Sequence, residues 1–143
     1  YYLKFGVFDD IANGRPIGEY KNKQNFVGTL TTAAPSEVPQ KIKDLLTWYS
    51  TLANITICDL AQFHVRYEEI HPFADGNGRT GRMILFRESL LNSNYPIIIN
   101  SKTSTQYKAI LAKVQKNRDF EELAVLFEQQ QENYKSVIDD YLI

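Results

Sequence analysis

The chain is poor in the features that usually mark a secreted, membrane or nucleic-acid-binding protein. Its 143 residues include one cysteine, Cys58, which excludes an intrachain disulfide and whose apolar helical surroundings predict a buried thiol. No hydrophobic run is long enough to span a bilayer, and nothing resembles a secretory signal. The net charge of −1 provides no basic field to attract nucleic acid or an anionic membrane. The sequence therefore predicts a cytoplasmic protein that binds neither.

The rest of the composition is that of a folded domain. With 43% hydrophobic and 23% charged residues, the chain is long enough for one compact domain over residues 1–143. It begins with Tyr1 rather than Met, which suggests a truncated or processed fragment. Apolar residues recur at helical spacing along much of the chain and predict a mainly α fold. Residues 1–10 are expected to form a helix or packed segment, and residues 24–34 a short β-hairpin.

Start and stop signals define two of the predicted helices. Ser36 is expected to cap the first of them. Thr56 with Asp59 gives a capping-box-like start to the second. Because Pro72 disfavours the α conformation of the residue before it, the second helix should end at about His71.

The segment from residue 71 to residue 82 reads His-Pro-Phe-Ala-Asp-Gly-Asn-Gly-Arg-Thr-Gly-Arg and holds more reactive side chains than any other stretch. The ordinary pKa of a histidine, about 6.5, lets His71 accept a proton near neutral pH, as a hydroxyl nucleophile requires. Asp75 offers a hard oxygen ligand suited to Mg²⁺ beside phosphate oxygens. His64, by contrast, lies on or beside an apolar helical stripe and is expected to be packed and hydrogen-bonded in the core.

The second half of this segment predicts a phosphate-binding helix start. Helical spacing begins near Gly78, and free N–H groups at a helix N-terminus bind anions when neighbouring glycines allow close approach. Arg79 and Arg82 share a face at the start of that helix. Guanidinium groups match phosphate oxygens bidentately, so two of them suit a polyphosphate.

The segment resembles the signature of Fic domains, His-Pro-Phe-x-(Asp/Glu)-Gly-Asn-Gly-Arg-x-x-Arg, and every fixed position is matched. The similarity covers about residues 20 to 135. It implies a mainly α fold, a Fic-type helical bundle with a β-hairpin flap near residues 24–34. In the family this flap docks the target protein; the corresponding residues here are Phe26, Val27, Gly28, Thr29 and Leu30.

The resemblance implies a Mg²⁺-dependent protein adenylyltransferase, which transfers AMP from ATP to a Tyr, Ser or Thr hydroxyl of a target protein and releases pyrophosphate. It implies that His71 deprotonates the hydroxyl, that Asp75 holds Mg²⁺ against the α- and β-phosphates, and that Arg82 clamps the γ-phosphate. Tyr107 is a candidate for the wall of the base pocket. The residues expected to bind the nucleotide phosphates are Gly76, Asn77, Gly78, Arg79, Gly81 and Arg82.

Other functions stay open at this point. The donor could be UTP or GTP, the enzyme could remove AMP, or the chain could be a nucleotide-binding interaction module without transfer. Gly76–Gly81 also matches G-x-G-x-x-G, the phosphate loop of a dinucleotide-binding βαβ unit. Helical spacing precedes these glycines, and Asn100 stands where the ribose-binding carboxylate is expected. The sequence therefore disfavours a dinucleotide-binding fold.

Inhibition is the least defined feature of the sequence. Many Fic proteins are held inactive by the glutamate of a (Ser/Thr)-x-x-x-Glu-(Gly/Asn) motif, which pairs with the second arginine of the signature. No such motif occurs intact in the 143 residues; Glu132-Asn133 comes nearest, with Glu128 at the hydroxyl position. We therefore expect Arg82 to be restrained by a segment upstream of Tyr1 or by a separate antitoxin-like protein.

Overall fold

The computed structural model describes residues 11–28, 30–93 and 95–141, and these residues are mainly helical. A two-stranded hairpin and a 3-10 turn over Pro35–Glu37 precede the long helices. The expected packed segment at residues 1–10 lies outside the described residues. The prediction of a mainly α fold with a short hairpin is confirmed. The elements are β1 (Phe26–Val27), β2 (Leu30–Thr31), α1 (Val38–Ser50), α2 (Ile57–Ile70), α3 (Asn77–Ser93), α4 (Ser104–Asn117) and α5 (Glu121–Tyr141).

The hairpin is antiparallel and very short. Phe26 pairs with Thr31, and Val27 pairs with Leu30. Gly28 occupies the turn with a φ of 59°, a left-handed conformation that glycine adopts at little cost. Thr29, expected to belong to the flap, lies outside the described residues. The hairpin leaves the Phe26 side chain 63% exposed.

Local hydrogen bonds confirm one predicted helix start and contradict the other. At the start of α2, the Thr56 N–H donates to Asp59 Oδ2 at 2.9 Å, and the Asp59 N–H donates to Thr56 Oγ at 3.1 Å, which is the predicted capping box. Ser36 does not cap α1, because it lies inside the 3-10 turn, and the capping position falls on Glu37. The Glu37 carboxylate accepts the N–H of Ala34 at 3.0 Å instead.

The prediction of a buried thiol is also wrong, because Cys58 is exposed. A helix turns by about 100° per residue, so Cys58 faces away from the buried Leu60 on α2. Partial desolvation raises the pKa of the thiol, and the negative charges of Glu121, Asp59 and Asp119 raise it further. The apolar stripe of α2 was correctly predicted, but Cys58 lies outside it.

The chain divides into two compact units. The first contains the hairpin and α1, ends at Ala53 and resumes over Arg66–Gly81; the second contains Asn54–Val65 and the residues from Arg82 onward. This division does not test the predicted single domain over residues 1–143, which stays a prediction. Buried apolar side chains in the first unit include Val38, Leu45, Tyr67 and Ile70, and those in the second include Leu60, Phe63, Val65, Leu111, Val114, Leu123 and Phe127.

His64 belongs to the core of the second unit. It is 1% exposed, and its Nε2 lies 2.6 Å from the hydroxyl of Tyr107. The Phe127 ring packs edge-on against the imidazole at a centroid distance of 5.9 Å. The prediction of a packed, hydrogen-bonded core histidine is confirmed.

Candidate active site

His71 is the first residue beyond α2, and its backbone conformation is unusual. Its N–H still donates to the carbonyl of Tyr67 at 2.9 Å, as in a last helical turn. Its φ is 50°, in the left-handed region that residues other than glycine seldom adopt. The following Pro72 disfavours a continued α conformation, so α2 ends at this corner as predicted. The imidazole is therefore attached at the junction between α2 and the loop that follows.

The imidazole of His71 is held by Glu68, one turn earlier on α2. Nδ1 lies 3.2 Å from the main-chain carbonyl oxygen of Glu68 and 3.6 Å from its Oε2. Because a carbonyl oxygen only accepts hydrogen bonds, this contact places the proton of a neutral ring on Nδ1 and leaves Nε2 as the basic nitrogen. The two side chains are 17% and 5% exposed, so the pair is largely shielded from water.

Several influences act on the protonation of His71. Burial is the largest and lowers the pKa of the imidazole. The hydrogen bond to the Glu68 carbonyl raises it, the positive charge of Lys21 lowers it, and the negative charge of Asp75 raises it. The net direction is downward. The ring is therefore predominantly neutral at neutral pH, as a general base must be.

The loop after His71 is closed by an asparagine. The Phe73 N–H donates to Asn77 Oδ1 at 2.8 Å, and Asn77 Nδ2 donates to the Phe73 carbonyl at 2.8 Å. Asn77 is 1% exposed, so its side chain holds the loop in shape; the phosphate contact expected of it stays a prediction. Gly76 has a φ of 83°, and its carbonyl accepts the N–H of Thr80 at 2.9 Å. This left-handed turn needs a glycine.

The loop leads directly into α3, which begins at Asn77, one residue before the predicted start. N–H groups in a first helical turn have no acceptor within the helix, and the helix dipole adds partial positive charge there. Arg79 lies in this turn and donates to Asp75 Oδ2 at 3.3 Å. The turn thus combines backbone donors with a guanidinium group, a chemistry suited to phosphate.

The donor set around Asp75 fits Mg²⁺ bound together with a nucleotide. Among the described residues, no group of three or more His, Cys, Asp or Glu side chains is placed to hold a metal ion. Mg²⁺ is often held by one or two carboxylates, with phosphate oxygens and water completing its octahedron. The Asp75 side chain is 53% exposed, and its ion pair with Arg79 is of the surface type, worth about 0–1 kcal/mol. This carboxylate can therefore exchange its partner at little cost.

Three other residues from the sequence prediction lie outside the loop contacts described so far. Gly81 packs closely, because a Cβ at this position would lie 2.5 Å from Glu68 Oε1 and 3.1 Å from the ring of Tyr67. Tyr107 is 3% exposed with its hydroxyl bonded to His64. Arg82 is half-buried on α3 and is the first residue of the second segment of the second unit. Nucleotide contacts by Gly81, Tyr107 and Arg82 stay predictions.

Comparison with known proteins identifies the family. A family model described as the Fic/DOC family matches residues 3–87, which is more than half of the chain and includes the whole segment from His71 to Arg82. The chain belongs to the Fic/DOC family. The loop from His71 to Gly78 is called the Fic loop below.

Named relatives agree with this membership. The chain is 31% identical over 106 residues to "Protein adenylyltransferase fic-1" of Caenorhabditis elegans, covering 71% of this chain and 21% of that protein. It is 32% identical over 90 residues to "Protein adenylyltransferase Fic" of Drosophila melanogaster, covering 59% of this chain and 18% of that protein. The chain thus spans about a fifth of the length of the curated relatives it matches.

A solved structure supports the Fic fold. The crystal structure of a Fic family protein from Desulfovibrio desulfuricans superposes with a TM-score of 0.68 at 24% identity, over 87% of this chain and 42% of that one. At this identity the similarity establishes the fold alone.

Two side chains that hold the Fic loop, those of Glu68 and Lys21, are absent from the sequence prediction. Glu68 is three residues before His71 on the same helix face, so helical spacing could have revealed it. Lys21 bonds to Ile70 across 49 positions of sequence, and no local pattern points to that contact.

Among the described residues, no helix has the length and apolarity needed to cross a membrane.

Proposed function

We propose that this chain carries the active site of a protein adenylyltransferase, which transfers AMP from ATP to a hydroxyl side chain of a target protein. One observation carries the proposal: a shielded imidazole with its basic nitrogen at Nε2 is joined by a five-residue loop to a helix N-terminus. A base for the hydroxyl and a binding site for phosphate thus occupy one loop. The proposal is supported by the two named relatives, which are protein adenylyltransferases.

The proposed reaction is a displacement at the α-phosphorus. The target hydroxyl oxygen forms a bond to the α-phosphorus while the bond from that phosphorus to the bridging oxygen of pyrophosphate breaks. His71 Nε2 accepts the hydroxyl proton, and pyrophosphate leaves with the bonding electron pair. The Fic loop contributes mainly by positioning, because phosphoryl and nucleotidyl transfer depend on alignment and charge stabilisation.

Charged groups around the Fic loop would hold the nucleotide. Asp75 would hold Mg²⁺ beside the α- and β-phosphates, and the bound ion would offset phosphate charge. Arg79 would exchange its weak contact with Asp75 for a phosphate oxygen, and Arg82 would bind the γ-phosphate. Gly76 and Gly78 would allow the backbone to approach the phosphates.

The hairpin would dock the target. An extended target segment could add to its edge through main-chain hydrogen bonds, and the exposed Phe26 offers an apolar contact beside it. Val27, Gly28 and Leu30 complete the described part of this flap. A cytoplasmic location and a separate inhibitory protein belong to the same proposal.

A labelling experiment tests the proposal. The chain and its His71→Ala variant are incubated with a cell lysate, Mg²⁺ and either α-³²P-ATP or γ-³²P-ATP, and label on protein bands is followed. We expect label from the α-position only, abolished by His71→Ala and by chelation of Mg²⁺. Label from the γ-position would show kinase-like transfer and contradict the proposal. Nucleotide binding without any label would favour a silent binding module.

A further inference from the structure

Lys21 is buried beside the Fic loop and contacts the main chain on both sides of His71. Its main-chain N–H donates to the carbonyl of Pro72 at 2.8 Å, and the ammonium group of its side chain, Nζ, donates to the carbonyl of Ile70 at 3.1 Å. The residue is 3% exposed. One lysine therefore binds the carbonyl groups of the residues immediately before and after the proposed base.

The remaining donors of the Lys21 ammonium reach the two ends of the hairpin. Nζ lies 2.7 Å from Asn25 Oδ1, just before β1, and 2.7 Å from Thr32 Oγ1, just after β2. Asn25 Nδ2 in turn donates to the Phe73 carbonyl at 2.9 Å. A buried ammonium is costly unless its three donors are satisfied, and here each has an acceptor. All three acceptors are neutral, so these bonds leave a full positive charge next to the loop.

The conformation of His71 depends on such restraints. A φ of 50° is unfavourable for a residue with a Cβ and persists only where the surroundings fix it. Relaxation toward an ordinary φ would rotate the peptide group that carries the Ile70 carbonyl. The bond from Lys21 Nζ to that carbonyl opposes this rotation.

We propose that Lys21 is a positioning residue, which fixes the His71 backbone through the carbonyls of Ile70 and Pro72 and ties it to both ends of the hairpin. This inference rests on the proposed function for its catalytic meaning. A target segment docked on the hairpin would then be in register with His71 before the nucleotide binds. The chemistry requires such register, because displacements of about 1 Å can reduce catalysis on the order of a hundredfold.

The charge of Lys21 has a second consequence for His71. Among the described residues, the charged groups that act on the imidazole include Glu68 at 3.6 Å, Lys21 and Asp75. Lys21 lowers the pKa of the ring, and Asp75 raises it. When the ammonium is removed, the carboxylates of Glu68 and Asp75 remain. The His71 pKa should therefore rise.

The test follows the two histidines of the chain by NMR while pH is varied. We compare wild type with Lys21→Met, with Lys21→Arg, which keeps the charge, and with Lys23→Met, a matched change at an exposed lysine of the same segment. The His71 signal is assigned by its loss in His71→Gln, and the indole signal of Trp48, the single tryptophan, reports that the first unit is folded.

Lys21→Met should raise the His71 titration midpoint by about 0.5 pH unit or more. The Lys21→Arg midpoint should lie nearer to that of wild type, and Lys23→Met should have no effect. In the adenylyl-transfer assay, Lys21→Met should lower kcat about tenfold or more, with KM for ATP changed by less than about twofold. A folded Lys21→Met protein with an unchanged His71 midpoint, or an equal shift in Lys23→Met, would contradict the inference.

If Lys21→Met does not fold, the wild-type protein supplies the test. Burial lowers the pKa of Lys21 to about 8, so the His71 signal should show a second inflection at about pH 8 as the ammonium loses its proton. The titration is carried to about pH 11, beyond the ordinary lysine pKa, and absence of any second inflection of the His71 signal would exclude the coupling. If the NMR shifts are found but no label is transferred, the proposed function fails and the coupling stands. Transfer without the NMR shifts defeats the coupling alone.

Discussion

At the scale of single residues, His71 is set up as a base by covalent, hydrogen-bonding and electrostatic causes. Pro72 ends the helix, the Glu68 carbonyl places the ring proton on Nδ1, and burial disfavours the charged ring. Each cause acts on a different property: the backbone path, the tautomer and the protonation state. The combination needs no strong ion pair and leaves Nε2 as the reactive atom.

The lowered pKa of His71 predicts how kcat/KM of the proposed transfer falls at acid pH. The proposed transfer requires the neutral ring, so kcat/KM should fall on the acid side of the His71 pKa with a midpoint below about 6.5, the ordinary histidine value. The profile is measured with α-³²P-ATP between pH 5 and 8. Lys23→Met should give the same profile as wild type. A midpoint above 6.5 would contradict a buried neutral base.

Residue types and their spacing predicted the components of the site, but not the restraints on them. Between His71 and Arg82, local residues determine the backbone. Pro72 ends α2, Gly76 allows the turn, and the apolar spacing of α3 indicates where that helix begins. The positive φ of His71 and its contact with Lys21 depend on tertiary structure. A buried lysine is also an exception to composition rules, which place lysine at the surface.

At the scale of elements, the end of α2 and the start of α3 pack closely inside the first unit. Gly81 faces Tyr67 and Glu68, and the glycine allows the two helices to approach. The signature alone predicts phosphate binding for Gly81, because it gives no information on packing. Cys58 and Ser36 show the same limit: local patterns locate the helices correctly but miss which face is covered and how the chain enters α1.

Gly81→Val should destabilise the protein. Its Cβ would overlap the carboxylate of Glu68, which is buried and contacts His71, and the added methyl groups would press on the Tyr67 ring. Overpacking of this kind costs about 1–3 kcal/mol in the free energy of unfolding, measured by urea denaturation. Met83→Val is the matched control, since Met83 is 51% exposed on the same helix. Equal stability of the two variants would show that the helices do not pack as described.

At the scale of the whole molecule, the chain includes the Fic loop but spans about a fifth of the length of its named relatives. Family membership and fold therefore rest on the chain itself, whereas the activity, the target and the inhibitor of the whole protein are proposals. The described residues supply a base, a carboxylate, a helix start and a hairpin. These parts are sufficient to test transfer chemistry on the chain as it stands.

Glu132 gives the sharpest test of how such a protein is inhibited. It is exposed on α5, and the motif around it has Glu128 in place of the hydroxyl residue. A surface substitution of this kind changes the free energy of unfolding by about 0.5 kcal/mol or less, so the variant should fold. Because Glu132 lies outside the Fic loop, Glu132→Ala should change the rate of adenylyl transfer by no more than about twofold. Glu128→Ala, an exposed change one turn earlier on α5, is the matched control. A rise of about tenfold or more in Glu132→Ala alone would assign inhibition to α5. An unchanged rate would show that Glu132 does not restrain Arg82.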